Sequence, residues 1–302
     1  MNIKNFENKF KNFSGRVYFN YSIKKLNWFN IGGNTRIFFK PDTLQDLIEF
    51  LKLCNNEEIF FVIGAGSNVL FKDDIFEGIV IKLSKNFSRI SLLNENTIIA
   101  GSGALDKSLS EFALENSVGG FEFLSCIPGT IGGGIRMNSG CFGSEFKDIL
   151  ISVQAVNRLG KVLTIPAQDI KFSYRSCNLP KDLIFLSATL EGNKKKMEKI
   201  KEQINNFKTK KEKAQPTKIK TGGSTFKNPI KQTDKKVWEI IKESVPNNIQ
   251  FGDAIISDKH ANFFINKGNA SYKDMKKLID FVKKSVKNKT GINLDLEIIL
   301  VK

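Results

Sequence analysis

The sequence predicts an α+β protein: a pair of α/β subdomains followed by a smaller α+β domain. Three observations carry that reading. The chain has 302 residues, more than one hydrophobic core ordinarily serves, so about two domains are expected. Along its front, apolar runs of strand length alternate with segments of helical period, and two glycine-rich stretches interrupt them. A lysine-rich stretch, then Pro216 and the polar run TKIKTGGS, has the composition of a boundary. The expected division is 1–84, 85–192, a connector helix at 193–215, and 216–302.

Residues 35–40 read as a strand, and TLQDLIEFLKLC from Thr43 as a helix with Thr43 as N-cap and Asp46 returning a bond to the cap. The runs FFVI at 60–63 and IVIKL at 79–83 follow as strands, a βαβ pattern with a glycine loop after its second strand. A second unit opens with a strand at 97–100 and a helix whose face is Leu105, Leu109 and Phe112, ending before Gly119 and Gly120. Residues 119–143 hold eight of the 23 glycines and are expected to be loop throughout. Strands near 150–157, 161–165 and 183–190 close the unit. A helix at 194–213 turns Met197, Ile200, Ile204 and Phe207 to one side. Beyond it come a helix at 234–244, a strand near 262–266, a helix capped by Ser271 with Met275, Leu278, Ile279, Val282 and Val286 inward, and a final strand in LDLEIILV.

Composition narrows the function classes. With 41% hydrophobic and 26% charged residues the chain can build an ordinary globular core. Its first residues, MNIKNFENKFKNF, lack the apolar run of an export signal, and the longest nearly apolar stretch, 60–71, is too short to span a bilayer. A cytoplasmic protein with no membrane segment is expected. Cys54, Cys126, Cys141 and Cys177 form no CxxC pair and His260 is the only histidine, so neither a disulfide framework nor a metal site is expected. The net charge of +16 raises nucleic-acid binding. Half of it, eleven lysines against three glutamates, lies in 194–220 on a segment of helical apolar spacing, which reads instead as a solvated helix face. The rest suits ligands that carry phosphate.

Two segments can approach a polyanion with backbone alone. GAGSN at 64–68 follows a buried-looking strand, where main-chain N–H groups can cradle a pyrophosphate; Val69 stands where a dinucleotide fingerprint needs its third glycine. IPGTIGGGIRMNSGCFG at 127–143 offers a second such loop, without the Lys-Ser/Thr ending of a P-loop. His260 is the one possible histidine base and no GxSxG elbow occurs, so a hydrolase triad is not expected. Arg175 in FSYRSC, Ser224 in GGSTFKNP and Glu297 near the C-terminus are polar candidates, which spacing alone leaves as ordinary surface or capping residues.

Seven segments, taken in order, resemble the MurB family, the UDP-N-acetylenolpyruvoylglucosamine reductases. They are FNIGG at 29–33, IGAGSNVL at 63–70, IPGTIGG at 127–133 with MNSGCFG at 137–143, SYRSC at 173–177, GSTFKNP at 223–229, KHANFFIN at 259–266 and GINLDLE at 291–297. The resemblance implies an FAD-binding subdomain pair of the vanillyl-alcohol-oxidase (PCMH) type followed by a substrate-binding domain. Only 73 residues follow GSTFKNP, which resembles the shorter, type II subtype without a tyrosine-bearing lid.

Residue by residue, the resemblance implies FAD contacts from Gly64, Ala65, Gly66, Ser67 and Asn68, from Pro128, Gly129, Thr130, Gly132 and Gly133, and from Asn138, Gly140 and Gly143. It implies substrate contacts from Tyr174, Arg175, Lys227 and Asn228, with Arg175 meeting the enolpyruvyl carboxylate, Ser224 as proton donor and Glu297 as the acidic residue opposite the arginine. NADPH would supply the hydride and a UDP-sugar enolpyruvate would receive it, in a monomer. Charge developing on the carboxylate side calls for a planar bidentate cation, and the enolate carbon then needs a proton. Trp28, Cys126 and Arg136 depart from the usual family pattern. The competing readings are an alcohol oxidase of the same flavin fold and, from another class, a basic nucleic-acid-binding protein.

Overall fold

The computed structural model describes residues 15–54 and 59–302; the N-terminal segment MNIKNFENKFKNF lies outside them. By contact the chain divides into two units, one of Met1–Tyr21, Thr35–Ala65 and Glu77–Lys208, the other of Ser22–Asn34, Gly66–Phe76 and Thr209–Lys302.

Among the described residues the first unit contains, besides three two-stranded pairs, a four-stranded and a five-stranded sheet. One orders its strands Arg16–Ser22, Asn34–Lys40, Phe76–Ile81 and Phe60–Val62, the last two running parallel. Its helix, Leu44–Leu53, begins with the expected capping box: Asp46 N donates to Thr43 Oγ1 at 3.0 Å and Thr43 N to Asp46 Oδ2 at 2.9 Å. Leu47, Phe50 and Leu51 face a core with Ile37, Phe39, Ile79 and Ile81, in which the rings of Phe39 and Phe50 stack at 3.8 Å. The other sheet is antiparallel, in the order Val162–Pro166, Leu150–Val156, Ile184–Glu191, Thr97–Gly101 and Ile90–Leu92. The helix Asp106–Glu115 buries Leu109 and Ala113 in the same core as Ile98, Ala100, Val153 and Leu190.

The glycine-rich segment is not loop throughout. Ile131–Met137, sequence IGGGIRM, is a short α-helix. Its glycines are there for close approach: a Cβ on Gly134 would lie 2.1 Å from the Phe146 ring, and one on Gly132 3.1 Å from Ser102. Packing of bare backbone on neighbours outweighs the low helix propensity of glycine. The helix ends in a left-handed residue, Asn138, at φ 42°, and Ser139 N donates back to Gly134 O at 2.8 Å, closing a Schellman turn.

The lysine-rich helix spans Met197–Ala214 and buries Ile200 and Ile204. Met197, the first residue of the helix, is exposed, contrary to its expected place on the apolar stripe. Phe207 does find a partner, stacking on the Phe142 ring at 4.4 Å. Just before the helix, Lys195 Nζ donates to the buried Glu122 carboxylate at 2.7 Å and to Gln203 Oε1 at 2.6 Å.

In the second unit an antiparallel sheet orders Thr221–Ser224, Phe263–Asn266, Ala254–Ile256 and Gln250–Phe251, with the helices Val237–Ser244 and Tyr272–Thr290. Ser271 and Asp274 form the second capping box, and Met275, Leu278, Ile279, Val282 and Val286 are all buried as their spacing predicts. Segments from far upstream belong to this unit. Ile299–Val301 pairs in parallel with Val69–Phe71, and Phe29, Ile31 and Leu70 share its core.

One buried group stands out. Asp106 is fully buried at the start of its helix, neither carboxylate oxygen has a hydrogen-bond partner among the described residues, and burial pushes its pKa well above the usual carboxylate range. The denatured chain therefore ionises first as pH rises, and the folded state loses up to about 1.4 kcal/mol for each pH unit until Asp106 itself ionises. Asp106→Asn lacks this slope. Its melting temperature is expected to gain on the parent between pH 5 and pH 8, measured by parallel thermal melts; a constant difference would show that Asp106 does not stay neutral.

Candidate active site

In the first unit, the glycine loop and the 128–133 segment meet. A Cβ on Gly64 would lie 2.3 Å from Thr130 Oγ1, so only glycine permits this approach. Thr130 is itself fixed: its backbone bridges Leu105, and Ile131 N donates to Ala104 O at 2.9 Å. Pro128 and Gly133 are exposed, while Gly129 rests on Asp106, whose N–H donates to Gly129 O at 3.2 Å. Among the described residues, none accepts the backbone N–H of Gly64, Ala65 or Gly129. Unspent donors on glycine-lined backbone are the donor set a diphosphate requires, so these residues fit the pyrophosphate of FAD.

A second cluster in the same unit surrounds Arg175. This residue holds φ 56°, in the left-handed region, on the short turn between Phe172–Ser173 and Ser176–Cys177. Its Nη2 donates to Gly140 O at 2.8 Å, its Nη1 lies 4.0 Å from Glu145 Oε1, and its guanidinium sits 4.9 Å from the ring centroid of Tyr174. Asn138 is completely buried beneath: it donates to Glu145 Oε2 at 2.9 Å and to Ser173 O at 3.2 Å, and accepts from Lys147 N at 3.0 Å. Asn138 thus ties the Gly140–Cys141 hairpin to the arginine turn. Gly143 has open space around it, and Phe142 beside it is half-exposed.

Arg136 and Cys126 have structural surroundings. Arg136 donates to the carbonyls of Leu179, Pro180 and Leu183, each at 2.9 Å, and lies over the Phe185 ring at 4.2 Å. Cys126 is buried. Trp28 in the second unit is half-exposed, its N–H donating to Gly66 O at 3.0 Å.

The second unit brings Ser224, Asn68 and Glu297 together through backbone. Ser224 ends its strand opposite Phe263, after Gly223 in the left-handed region at φ 74°. The next residue, Thr225, donates to Asn262 O at 2.8 Å and accepts from Glu297 N at 2.9 Å. Asn68 Nδ2 donates to Glu297 O at 3.0 Å, and Ile299 N to Asn68 O at 2.9 Å. Ser224 and Glu297, 73 positions apart, are therefore pinned to one residue and its neighbour. Among the described residues no hydrogen bond engages Ser224 Oγ. In the same loop Lys227 N donates to Asp295 O at 2.9 Å, while Asn228 Oδ1 accepts from Val237 N at 3.0 Å, at the start of the Val237–Ser244 helix. Gly66 completes its turn at φ 69°, where a Cβ would lie 2.0 Å from Leu26 O.

Sequence reasoning missed two residues. Asn262 is buried, and its amide both accepts from Phe226 N at 3.0 Å and donates to Phe226 O at 2.9 Å, holding the chain just beyond Ser224 as a strand would. The only signal was an asparagine inside an apolar strand segment, where a buried amide must be paired. Glu145 had no signal, since its three partners come from three separate turns. His260 is not placed as a base: Nδ1 accepts from Asn262 N at 3.2 Å, its ring meets the Phe263 ring at 4.7 Å, and burial lowers its pKa.

Comparison with known proteins gives the family. The family model for the C-terminal domain of UDP-N-acetylenolpyruvoylglucosamine reductase matches residues 215–301, and that for an FAD binding domain matches 35–166. A UDP-N-acetylenolpyruvoylglucosamine reductase of Pelagibacter ubique is 60% identical over 97% of this chain and 98% of its own, and one of Rickettsia typhi is 44% identical over 92% and 93%. The crystal structure of the Thermus caldophilus reductase (MurB) superimposes with TM-score 0.81 at 27% identity, covering 95% of this chain and 99% of that one. Near-complete coverage at such identity leaves one assignment: this chain belongs to the MurB family of UDP-N-acetylenolpyruvoylglucosamine reductases.

Proposed function

We infer that the chain is an FAD-dependent oxidoreductase that reduces UDP-N-acetylglucosamine enolpyruvate to UDP-N-acetylmuramate, with NADPH as hydride donor, in peptidoglycan precursor synthesis. The observation that carries it is the 60% identity to a curated reductase over nearly the whole chain. FAD, when bound, relays the hydride from NADPH to the substrate. The residues of the chain do the rest. Gly64, Ala65 and Gly129 offer backbone donors to the pyrophosphate, and the family resemblance extends the set to Gly66, Ser67, Asn68, Pro128, Thr130, Gly132, Gly133, Asn138, Gly140 and Gly143. Asn138 works from beneath, as an anchor for the Arg175 turn.

Hydride arriving at the methylene carbon leaves negative charge on the carboxylate side of the enolpyruvyl group. Arg175 meets it with a charge whose orientation is already set by Gly140 O and Tyr174. Ser224 Oγ, on a strand end pinned by Asn262, gives its proton to the enolate carbon, and Glu297, whose N–H donates to Thr225 O, supports the acid from the bend before Ile299–Val301. Tyr174, Lys227 and Asn228 contribute substrate contacts. Among the described residues no helix is long and apolar enough to cross a membrane, and no group of His, Cys, Asp and Glu could hold a metal. We place the enzyme in the cytoplasm as a monomer, where its nucleotide substrates are; light scattering of the purified protein checks the latter.

The test is anaerobic stopped-flow absorbance. Bound flavin is expected to bleach on mixing with NADPH and to recover its colour only on addition of UDP-N-acetylglucosamine enolpyruvate. A protein that takes up no FAD, or whose reduced flavin recovers equally with an unrelated ketone as acceptor, overturns the reading.

A further inference from the structure

We infer that Glu145 is a positioning residue for the reduction step, holding the Arg175 guanidinium in a fixed pose and at a partly compensated charge. The inference rests on the reading that Arg175 meets the substrate carboxylate. Glu145 lies on the Ser144–Glu145 strand of a two-residue hairpin with Gly140–Cys141, and its carboxylate is only about one-fifth exposed. Three groups converge on it: Asn138 Nδ2 at 2.9 Å, Lys147 Nζ at 3.0 Å and Arg175 Nη1 at 4.0 Å. The Asn138 bond orients the carboxylate, since the amide is itself held by Ser173 O and the Lys147 N–H. Lys147 is half-exposed, and its ammonium is held above the ordinary lysine range by its hydrogen bond to Glu145.

This arrangement divides the work on Arg175. Gly140 O fixes Nη2 by a direct hydrogen bond, whereas Glu145 acts on Nη1 through space at 4.0 Å, a distance that steers the guanidinium without engaging that nitrogen in an ideal hydrogen bond. A carboxylate that closed fully on Arg175 would compete with a substrate carboxylate. Lys147 prevents this by drawing the other side of Glu145 toward itself. Arg175 thus stays oriented and keeps enough charge to hold an incoming anion. The consequence is a separation of binding from turnover: removing the Glu145 charge frees more positive charge on Arg175 for ground-state attraction while releasing its orientation, on which the chemical step depends.

The experiment compares Glu145→Gln with the parent in both half-reactions. Flavin bleaching by NADPH is expected to stay within about twofold, the substrate Kd to stay equal or fall, and the limiting rate of substrate-dependent reoxidation to drop about 10-fold. A role confined to folding would instead lower FAD content and both half-reactions together, and that result overturns the inference. So does a rate within twofold of the parent, or a raised Kd at unchanged rate. If Glu145→Gln yields no soluble folded protein to assay, Lys147→Met decides: its loss from an exposed position turns the full Glu145 charge on Arg175 and is expected to raise the substrate Kd about threefold with FAD content unchanged, and no change refutes the arrangement. Arg175→Ala in the same assay separates the two readings. If it leaves reoxidation intact, the assignment of Arg175 has failed; if it slows reoxidation and Glu145→Gln does not, only the inference has.

Discussion

Ser224→Ala is expected to slow substrate-dependent reoxidation of the flavin by about 10²- to 10⁴-fold, the range for a lost general acid, while NADPH still bleaches the flavin at close to the parental rate. The argument is one of position. Ser224 ends the first strand of its sheet, and the residues after it are held by two Asn262 amide bonds to Phe226 and by the Thr225 carbonyl that accepts Glu297 N–H. Alanine keeps that backbone, since no hydrogen bond to Ser224 Oγ is lost among the described residues, and it removes only the hydroxyl. Stopped-flow traces of the two half-reactions check it. Equal slowing of both, or of neither, removes Ser224 from the role of acid.

Local signals in this chain were legible and long-range ones were not. Thr43 with Asp46, and Ser271 with Asp274, announce helix starts because the capping bond is made within four residues. The apolar stripe from Met275 to Val286 announces its buried face for the same reason. The helix Ile131–Met137 escaped, because its three glycines fit Phe146 and Ser102, residues that no local pattern connects to it. The final strand was legible as a strand, yet its partner, Val69–Phe71, lies some 230 residues upstream across a parallel pairing that apolar runs cannot specify.

The candidate site divides along the same line. Its glycine loops and its arginine, serine and glutamate could be named from motif blocks alone. What holds them could not, because Asn138, Glu145 and Asn262 act through side-chain bonds to turns 7 to 36 residues away. A buried amide or a shared carboxylate is a choice made by the folded chain, and its sequence signature is one polar letter in an apolar or turn segment. Sites are therefore recognised by their chemistry and understood by their supports.

Arg175→Lys is expected to retain FAD at the parental level and to slow substrate-dependent reoxidation by about 10²-fold, the scale of one lost donor to a developing negative charge. The backbone is not the reason. Residue 175 sits at φ 56°, and lysine pays the same steric cost there as arginine. The difference lies in the head group. The guanidinium reaches Gly140 O with Nη2 and the neighbourhood of Glu145 with Nη1, and its flat face lies by the Tyr174 ring. An ammonium on a flexible stem can satisfy Gly140 O or approach Glu145, but cannot hold a planar orientation against both. At the 3.0 Å and 4.0 Å separations seen here it would also join Lys147 in competing for Glu145, drawing its charge away from substrate. The loss should therefore fall on both binding of the enolpyruvyl carboxylate and the rate that follows, in contrast to Glu145→Gln, where binding is preserved. Flavin absorbance of the purified variant and single-turnover reoxidation check the two halves of the statement. A variant that loses its flavin would make Arg175 a support of the 138–145 hairpin, and the partner of the substrate carboxylate would have to be sought elsewhere.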